Sequence, residues 1–181
     1  KFNFELFEFD HPLVILYSSG TTGKPKCICH RAGGVLLQHI KELSLHSNIK
    51  PNDNVFYFTT CGWMMWNWLV SSLAVGCSVV LYDGNPFYPS NDSLLKIMDD
   101  IDIDVFGTSA KYISTLESLS IYPNKFKFNS LKTILSTGST LNESSYDYVY
   151  NSWKKDVQLS SISGGTDIIS CFALGNPTLP V

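Results

Sequence analysis

A chain of 181 residues with 44% hydrophobic and 16% charged residues is long enough to bury about 70% of its unfolded surface, so disulfide or metal staples are not required. Net charge is −3, and the 13 Lys and Arg residues never gather into a basic block. This excludes a basic grip on nucleic acid and an electrostatic membrane anchor. No signal or transit peptide is recognisable, and no apolar run reaches the roughly 18 residues of a membrane helix.

In chain order, Leu13–Leu16 reads as a buried strand leading into the polar loop "YSSGTTGKPK", with "KCICH", Lys26 to His30, as the hairpin return. Val35 to Ser47 carries apolar residues near helical spacing. "NVFYFTT" is strand-like, and the aromatic "GWMMWNWLVSSLAVG" reads as a largely buried helix with a loop at its start. "CSVVLYDG" is a β-branched strand closed by an Asp-Gly turn. Asn91 or Asp92 is placed to cap a helix through Met98, "DVFGTS" to form a strand, and Ser109 to cap a helix through Leu119. A strand and turn in "LKTILSTGS", a helix in "NESSYDYVYNSW", and a strand and polar turn in "VQLSSISGGTD" complete the pattern. Strands alternating with helices predict an α/β fold with a mainly parallel sheet flanked by helices. Ligands of such folds bind beyond the carboxyl ends of the strands, where "SSGTTGKPK", "STGST" and "SGGTD" are expected.

The first of these turns suits a polyphosphate. Gly20 and Gly23 let backbone N–H groups turn inward, Ser18, Ser19, Thr21 and Thr22 add hydroxyls, and Lys24 and Lys26 add charge. A solvated hairpin turn is the plainer alternative. The P-loop pattern GxxxxGK[ST] is not met, because Ser18 stands where its first glycine belongs and Pro25 follows Lys24. Cys27, Cys29, Cys61, Cys77 and Cys171 form no CxxC pair and read as reduced core residues of a cytosolic protein. Cys27 and Cys29 would share one strand face, where buried packing is expected over a metal pair. His30, His39 and His46 read as surface or strand-end residues. The run Asp99, Asp100, Asp102 and Asp104 reads as a solvated turn, and Trp66 and Trp68 as core or pocket.

Taken together, the loop and the later turns resemble the adenylate-forming superfamily of acyl-CoA synthetases, luciferases and peptide-synthetase adenylation domains. Ser18 to Lys26 matches its [ST]SG[ST]TGxPK motif, and "GWMMWN", "LYDGNPFYP", "FGTSAKY", "STGSTL" and "ISGGTDI" are most similar to its acetoacetyl-CoA synthetase branch. The similarity covers essentially the whole chain. It implies that Ser18, Ser19, Gly20, Thr21, Thr22, Gly23, Lys24 and Lys26 cover the β- and γ-phosphates of ATP. Gly138, Ser139 and Thr140 would line the adenine. The run Ser161 to Thr166, with Ser163, Gly164 and Gly165 at its centre, would lie along adenine and acyl pocket, and Thr166 would contact the α-phosphate. Asp167 stands where relatives carry a Mg²⁺-associated glutamate, one methylene longer, while Mg²⁺ demands near-ideal octahedral geometry. Trp63, Met64 and Met65 would wall the acyl pocket. Gly164 would leave room where acetyl-CoA synthetases place a tryptophan, which makes space for a longer acid such as acetoacetate.

The chemistry implied is ATP-dependent, AMP-forming ligation of acetoacetate to coenzyme A through an acyl-adenylate. The substrate carboxylate is its own nucleophile, so in-line positioning and charge stabilisation replace a catalytic triad. On this reading Lys26, Thr166 and Asp167 are the reacting-centre residues, ATP, Mg²⁺ and coenzyme A are the cofactors and co-substrates, and neither nucleic acid nor membrane is a partner. The chain begins at Lys1 and ends at "GNPTLPV", which suggests residues 1–181 are one piece of a larger N-terminal AMP-binding domain. The family's mobile C-terminal domain, with its adenylation lysine, would lie outside it, leaving the piece inactive alone. The alternatives are a related short- or medium-chain acyl-CoA synthetase and a nucleotide-binding fragment without turnover.

Overall fold

The computed structural model describes residues 2–18 and 23–181, so Ser19, Gly20, Thr21 and Thr22 of the opening loop lie outside the described residues. Strands β1 (Pro12–Ser18) and β2 (Lys26–Arg31) form the expected antiparallel hairpin, with Ser18 opposite Lys26 and Leu16 opposite Ile28. Its periodicity assigns two faces, but only one is covered. Val14, Leu16, Ile28 and His30 are half-buried, whereas Leu13, Ile15 and Tyr17 are exposed, as are Cys27 and Cys29. The expectation of a buried strand and core cysteines is therefore corrected here. Alternation says which residues share a face, and among the described residues the hairpin pairs only with itself, outside the main sheet.

Helix α1 (Ala32–Lys41) runs into a wider π turn over Glu42–His46, closed by the Ser47 N–H on the Glu42 carbonyl at 2.9 Å. After it come β3 (Asn54–Tyr57), α2 (Met64–Ser71), β4 (Ser78–Val80), α3 (Ser93–Asp100), β5 (Val105–Ser109) and α4 (Ala110–Ser118). The chain continues through β6 (Thr133–Thr137), α5 (Glu143–Ser152) and β7 (Gln158–Ser161) to a small antiparallel hairpin, β8 (Ser163–Gly165) and β9 (Ser170–Ala173). Sequence reasoning did not anticipate that last hairpin. Strands β4, β3, β5, β6 and β7 pair in that order, all parallel.

Consecutive apolar residues explain why this sheet is covered on both sides. Phe56, Phe106 and Ile134 point to one face with Leu94, Leu95 and Met98 of α3, Ile113 and Leu116 of α4, and Val149 of α5. Val55, Tyr57, Val105 and Leu135 point to the other, against Leu43 and against Met65, Trp68 and Leu69 of α2. The i, i+3, i+4 spacing of the α2 trio makes a single apolar stripe. Ser109 caps α4 as expected, its hydroxyl accepting the Tyr112 N–H at 3.1 Å. Asp92 begins α3 without capping it, because its carboxylate takes the Ser90 hydroxyl and Lys125 instead. In the acidic run, Asp100 and Asp102 are exposed, but Asp99 accepts the N–H groups of Lys127 and Phe128, and Asp104 that of Asn54. Asp99 thus ties the 127–128 loop to the end of α3, and Asp104 ties the approach to β5 to β3. No helix among the described residues is long and apolar enough to cross a membrane.

His39 departs furthest from expectation, for it is 0% exposed. Its Nε2 lies 2.6 Å from the Ile169 carbonyl and its Nδ1 lies 2.8 Å from the Ser71 hydroxyl. A carbonyl only accepts, so Nε2 carries the proton and Nδ1 accepts from Ser71. Burial, reinforced by His30, holds the His39 pKa below its ordinary value of 6.5, against the raising effects of the Ile169 carbonyl and Glu42.

Two predictions follow from this packing. A Cβ at Gly107 would lie 2.0 Å from the Tyr57 ring on the adjoining strand, so Gly107→Ala should cost about 1–3 kcal/mol in urea unfolding of the full-length polypeptide. The unfolded chain protonates His39 at a higher pH than the folded one, so the stability due to the neutral ring is complete above about pH 6.5 and is lost as pH falls below it. Wild type should therefore lose up to about 1.4 kcal/mol per pH unit relative to His39→Gln in that range, measured by urea titration at stepped pH.

Candidate active site

Beyond the carboxyl ends of β6 and β7 lies a cavity of about 480 Å³. Three stretches singled out from sequence meet there: Trp63, Met64 and Met65 at the start of α2, Gly138, Ser139 and Thr140 after β6, and Ser163 to Thr166 along β8. The parallel register explains the meeting, since β6 and β7 are neighbours with Ser136 opposite Ser161, so their following turns open side by side. Gly138 makes its turn at a φ of +90°, a left-handed value that a side chain would strain.

Gly164 lines the cavity, yet a Cβ there would point at the Ser170 carbonyl at 2.3 Å. The glycine is required first by the close approach of β9 to β8, and any added pocket room accompanies that requirement. Thr166 is half-buried at the rim, and Asp167 is exposed on the turn beyond it. Ser18, Gly23, Lys24, Lys26 and Asp167 do not line the cavity. The opening hairpin nonetheless abuts the Thr166 turn, because the His30 ring N–H donates to the Thr166 carbonyl at 2.9 Å.

Ser161 and Ile162 of the expected run also line it, and Thr137, Ser170 and Cys171, none of the three anticipated as a site residue, complete the wall. They carry no motif, and the β8–β9 pairing alone brings Ser170 and Cys171 inward. Cys171 also sits against Glu42, whose carboxylate accepts its backbone N–H at 2.9 Å. Burial, with the Glu42 charge second, pushes the Cys171 thiol up to about 12, so it is protonated at neutral pH. A second, more apolar cavity of about 760 Å³ opens beyond β3, β4 and β5, between Thr59, Tyr82 and Ser109. Trp63 is a wall of both cavities, held edge-on to Tyr57 with ring centroids 6.4 Å apart.

Among the described residues no group of three or more His, Cys, Asp or Glu side chains forms a protein-only metal cage. Asp167 presents one exposed carboxylate beside the cavity. That donor set fits Mg²⁺, which is commonly held by one or two carboxylates together with substrate phosphates. It does not fit a structural zinc or calcium site.

Residues 5–179 match the family of AMP-binding enzymes. Over its whole length the chain is 56% identical to an acetoacetyl-CoA synthetase of Danio rerio, and over 98% of its length it is 47% identical to a malonamoyl-CoA synthetase of Penicillium aethiopicum. The solved acetoacetyl-CoA synthetase of Streptomyces lividans superposes on 98% of the chain with a TM-score of 0.92 at 42% identity, the match covering 28% of that enzyme. The chain spans 27% of the length of both curated relatives. A match over nearly all of its residues, on a parallel sheet whose turns converge on one cavity, shows that this chain belongs to the AMP-binding enzyme family.

Proposed function

We propose that this chain is the nucleotide- and acid-binding part of an AMP-forming acid:CoA ligase acting on a short acid with a carbonyl β to its carboxylate, acetoacetate foremost. The observation that carries this is the meeting of Trp63–Met65, Gly138–Thr140 and Ser163–Thr166 around one cavity. The relatives named above are acetoacetyl-CoA and malonamoyl-CoA synthetases, and the two acyl groups in those names share a β-carbonyl. Exposed free thiols at Cys27, Cys29 and Cys61 suit a reducing, cytosolic setting.

In the first step a carboxylate oxygen of the acid attacks the α-phosphorus of ATP, the bond to the β-phosphate breaks, and pyrophosphate leaves. The Gly138–Thr140 turn holds the adenine side. Thr166 holds the α-phosphate in line, while Lys26 and the loop that precedes it meet the charge on the β- and γ-phosphates. Mg²⁺, held by Asp167 and the phosphates, would supply charge neutralisation. In the second step the thiol sulfur of coenzyme A attacks the acyl carbonyl and the bond to AMP breaks. The second cavity, which shares Trp63 as a wall with the first, is the side from which the thiol would approach. No side-chain nucleophile is needed, so positioning and electrostatics carry the rate. The acid pocket is walled by Trp63, Met64 and Met65, and methionines adapt to a short, irregular substrate.

Pyrophosphate release by the full-length polypeptide with ATP, Mg²⁺ and coenzyme A should be at least about tenfold faster with acetoacetate than with acetate, and Lys26→Ala should lower it by roughly 100-fold, the size expected for losing one charge-stabilising group. Equal rates with acetate, or a preference for hexanoate, would refute the β-carbonyl acid pocket. Nucleotide binding without release on any acid would refute the ligase reading.

A further inference from the structure

The turn that carries Thr166 and Asp167 belongs to no large element, since β8 and β9 pair only over Ser163–Gly165 and Ser170–Ala173. Its backbone is nevertheless held by side chains from a single stretch of chain. The ring N–H of His30 donates to the Thr166 carbonyl at 2.9 Å, that of His39 to the Ile169 carbonyl at 2.6 Å, and that of His46 to the Gly175 carbonyl at 2.9 Å. Between them the Glu42 carboxylate accepts the Cys171 N–H at 2.9 Å. His39, Glu42 and His46 follow one another at steps of three and four residues, so they form one polar stripe on α1 and its π turn. The stripe reaches α2 as well: Ser71 donates to His39 at 2.8 Å, and the Trp68 indole donates to Glu42 at 3.0 Å.

Helix α2, whose start walls the cavity, and the β8–β9 hairpin are thus tied to the same two side chains, α2 through Trp68 and Ser71 in its second half. His39 is 0% and Glu42 1% exposed. Apolar residues of similar size would pack in these places but would leave the Ile169 carbonyl and the Cys171 N–H unpaired in a dry interior. We propose that His39 and Glu42 are positioning residues that fix the Thr166–Asp167 turn against α2, and so set the line between the α-phosphate and the acid. This rests on the ligase reading given above for its consequence, though the clasp itself is a statement about the turn.

The test compares His39→Leu, His39→Gln and Ser71→Ala in the full-length polypeptide with Leu95→Ala, a core truncation on the opposite face of the sheet. A glutamine places its amide nitrogen where the histidine Nε2 stands, so it keeps the donor that leucine removes. Amide hydrogen exchange over 166–175 and the kcat and KM for ATP in pyrophosphate release are read at a temperature where all variants are folded. His39→Leu should speed exchange in that segment and lower kcat, each by about tenfold or more, because displacements near 1 Å are costly at a reacting centre. Ser71→Ala should shift both the same way by less, His39→Gln should stay within about threefold of wild type, and Leu95→Ala should lower the unfolding midpoint while moving neither readout. Unchanged exchange and kcat in His39→Leu, or equal losses in the Leu and Gln variants, would overturn the proposal. If wild type released no pyrophosphate, the ligase reading would fall, and the clasp would stand or fall on whether the exchange change is confined to 166–175.

Discussion

A carboxylate taken out of water must be met by donors, or the charge costs several kcal/mol. Glu42, 1% exposed, is met by Gln38 on its own helix, by the Trp68 indole of α2, and by the N–H and thiol of Cys171 on β9. All of these partners donate, and none would be matched by an apolar replacement. Because the partners belong to α1, α2 and β9, satisfying this one group requires three elements to be in register at once. The π turn that begins at Glu42 widens the helix where these partners converge, a distortion often found at functional sites.

The cavity inherits its shape from that register. Met65 and Trp68 lie on the same buried face of α2, so an anchored Trp68 fixes where Trp63, Met64 and Met65 enter the cavity. Cys171, held by Glu42, sits opposite Gly164 in the β8–β9 pairing, which leaves no space for a side chain at 164. A tryptophan at that position would need a different hairpin, so the space at this wall of the cavity is set by the backbone path as well as by the residue. The parallel sheet supplies the rest, delivering the turns after β6 and β7 to one edge, the usual place for ligands in α/β folds.

Much of this was legible from patterns of residues. Runs such as "NVFYF" and "KTIL" have the continuous apolarity of strands covered on both sides, Ser109 announced its helix, and two of the three glycine-containing turns, those after β6 and β7, meet at one cavity. The errors have a common source. His39 looked like a surface residue because its partners, Ser71 and the Ile169 carbonyl, lie 32 and 130 positions away. Cys27 and Cys29 were assigned a shared face correctly and a buried one wrongly, because alternation carries no information about what covers the face.

By itself, then, the sequence determined the alternation of strands and helices, the turns that carry polar chemistry, and through its loop motif the family. These depend on residues within a few positions of one another, where side-chain periodicity and glycine conformation act directly. Only the tertiary structure decided that Gly164 is confined by the Ser170 carbonyl, that Trp63 separates two cavities, and that one buried face of α1 holds the Thr166 turn. Those facts depend on contacts between residues far apart in the chain, and a buried polar group shows its meaning only when its distant partner is in place.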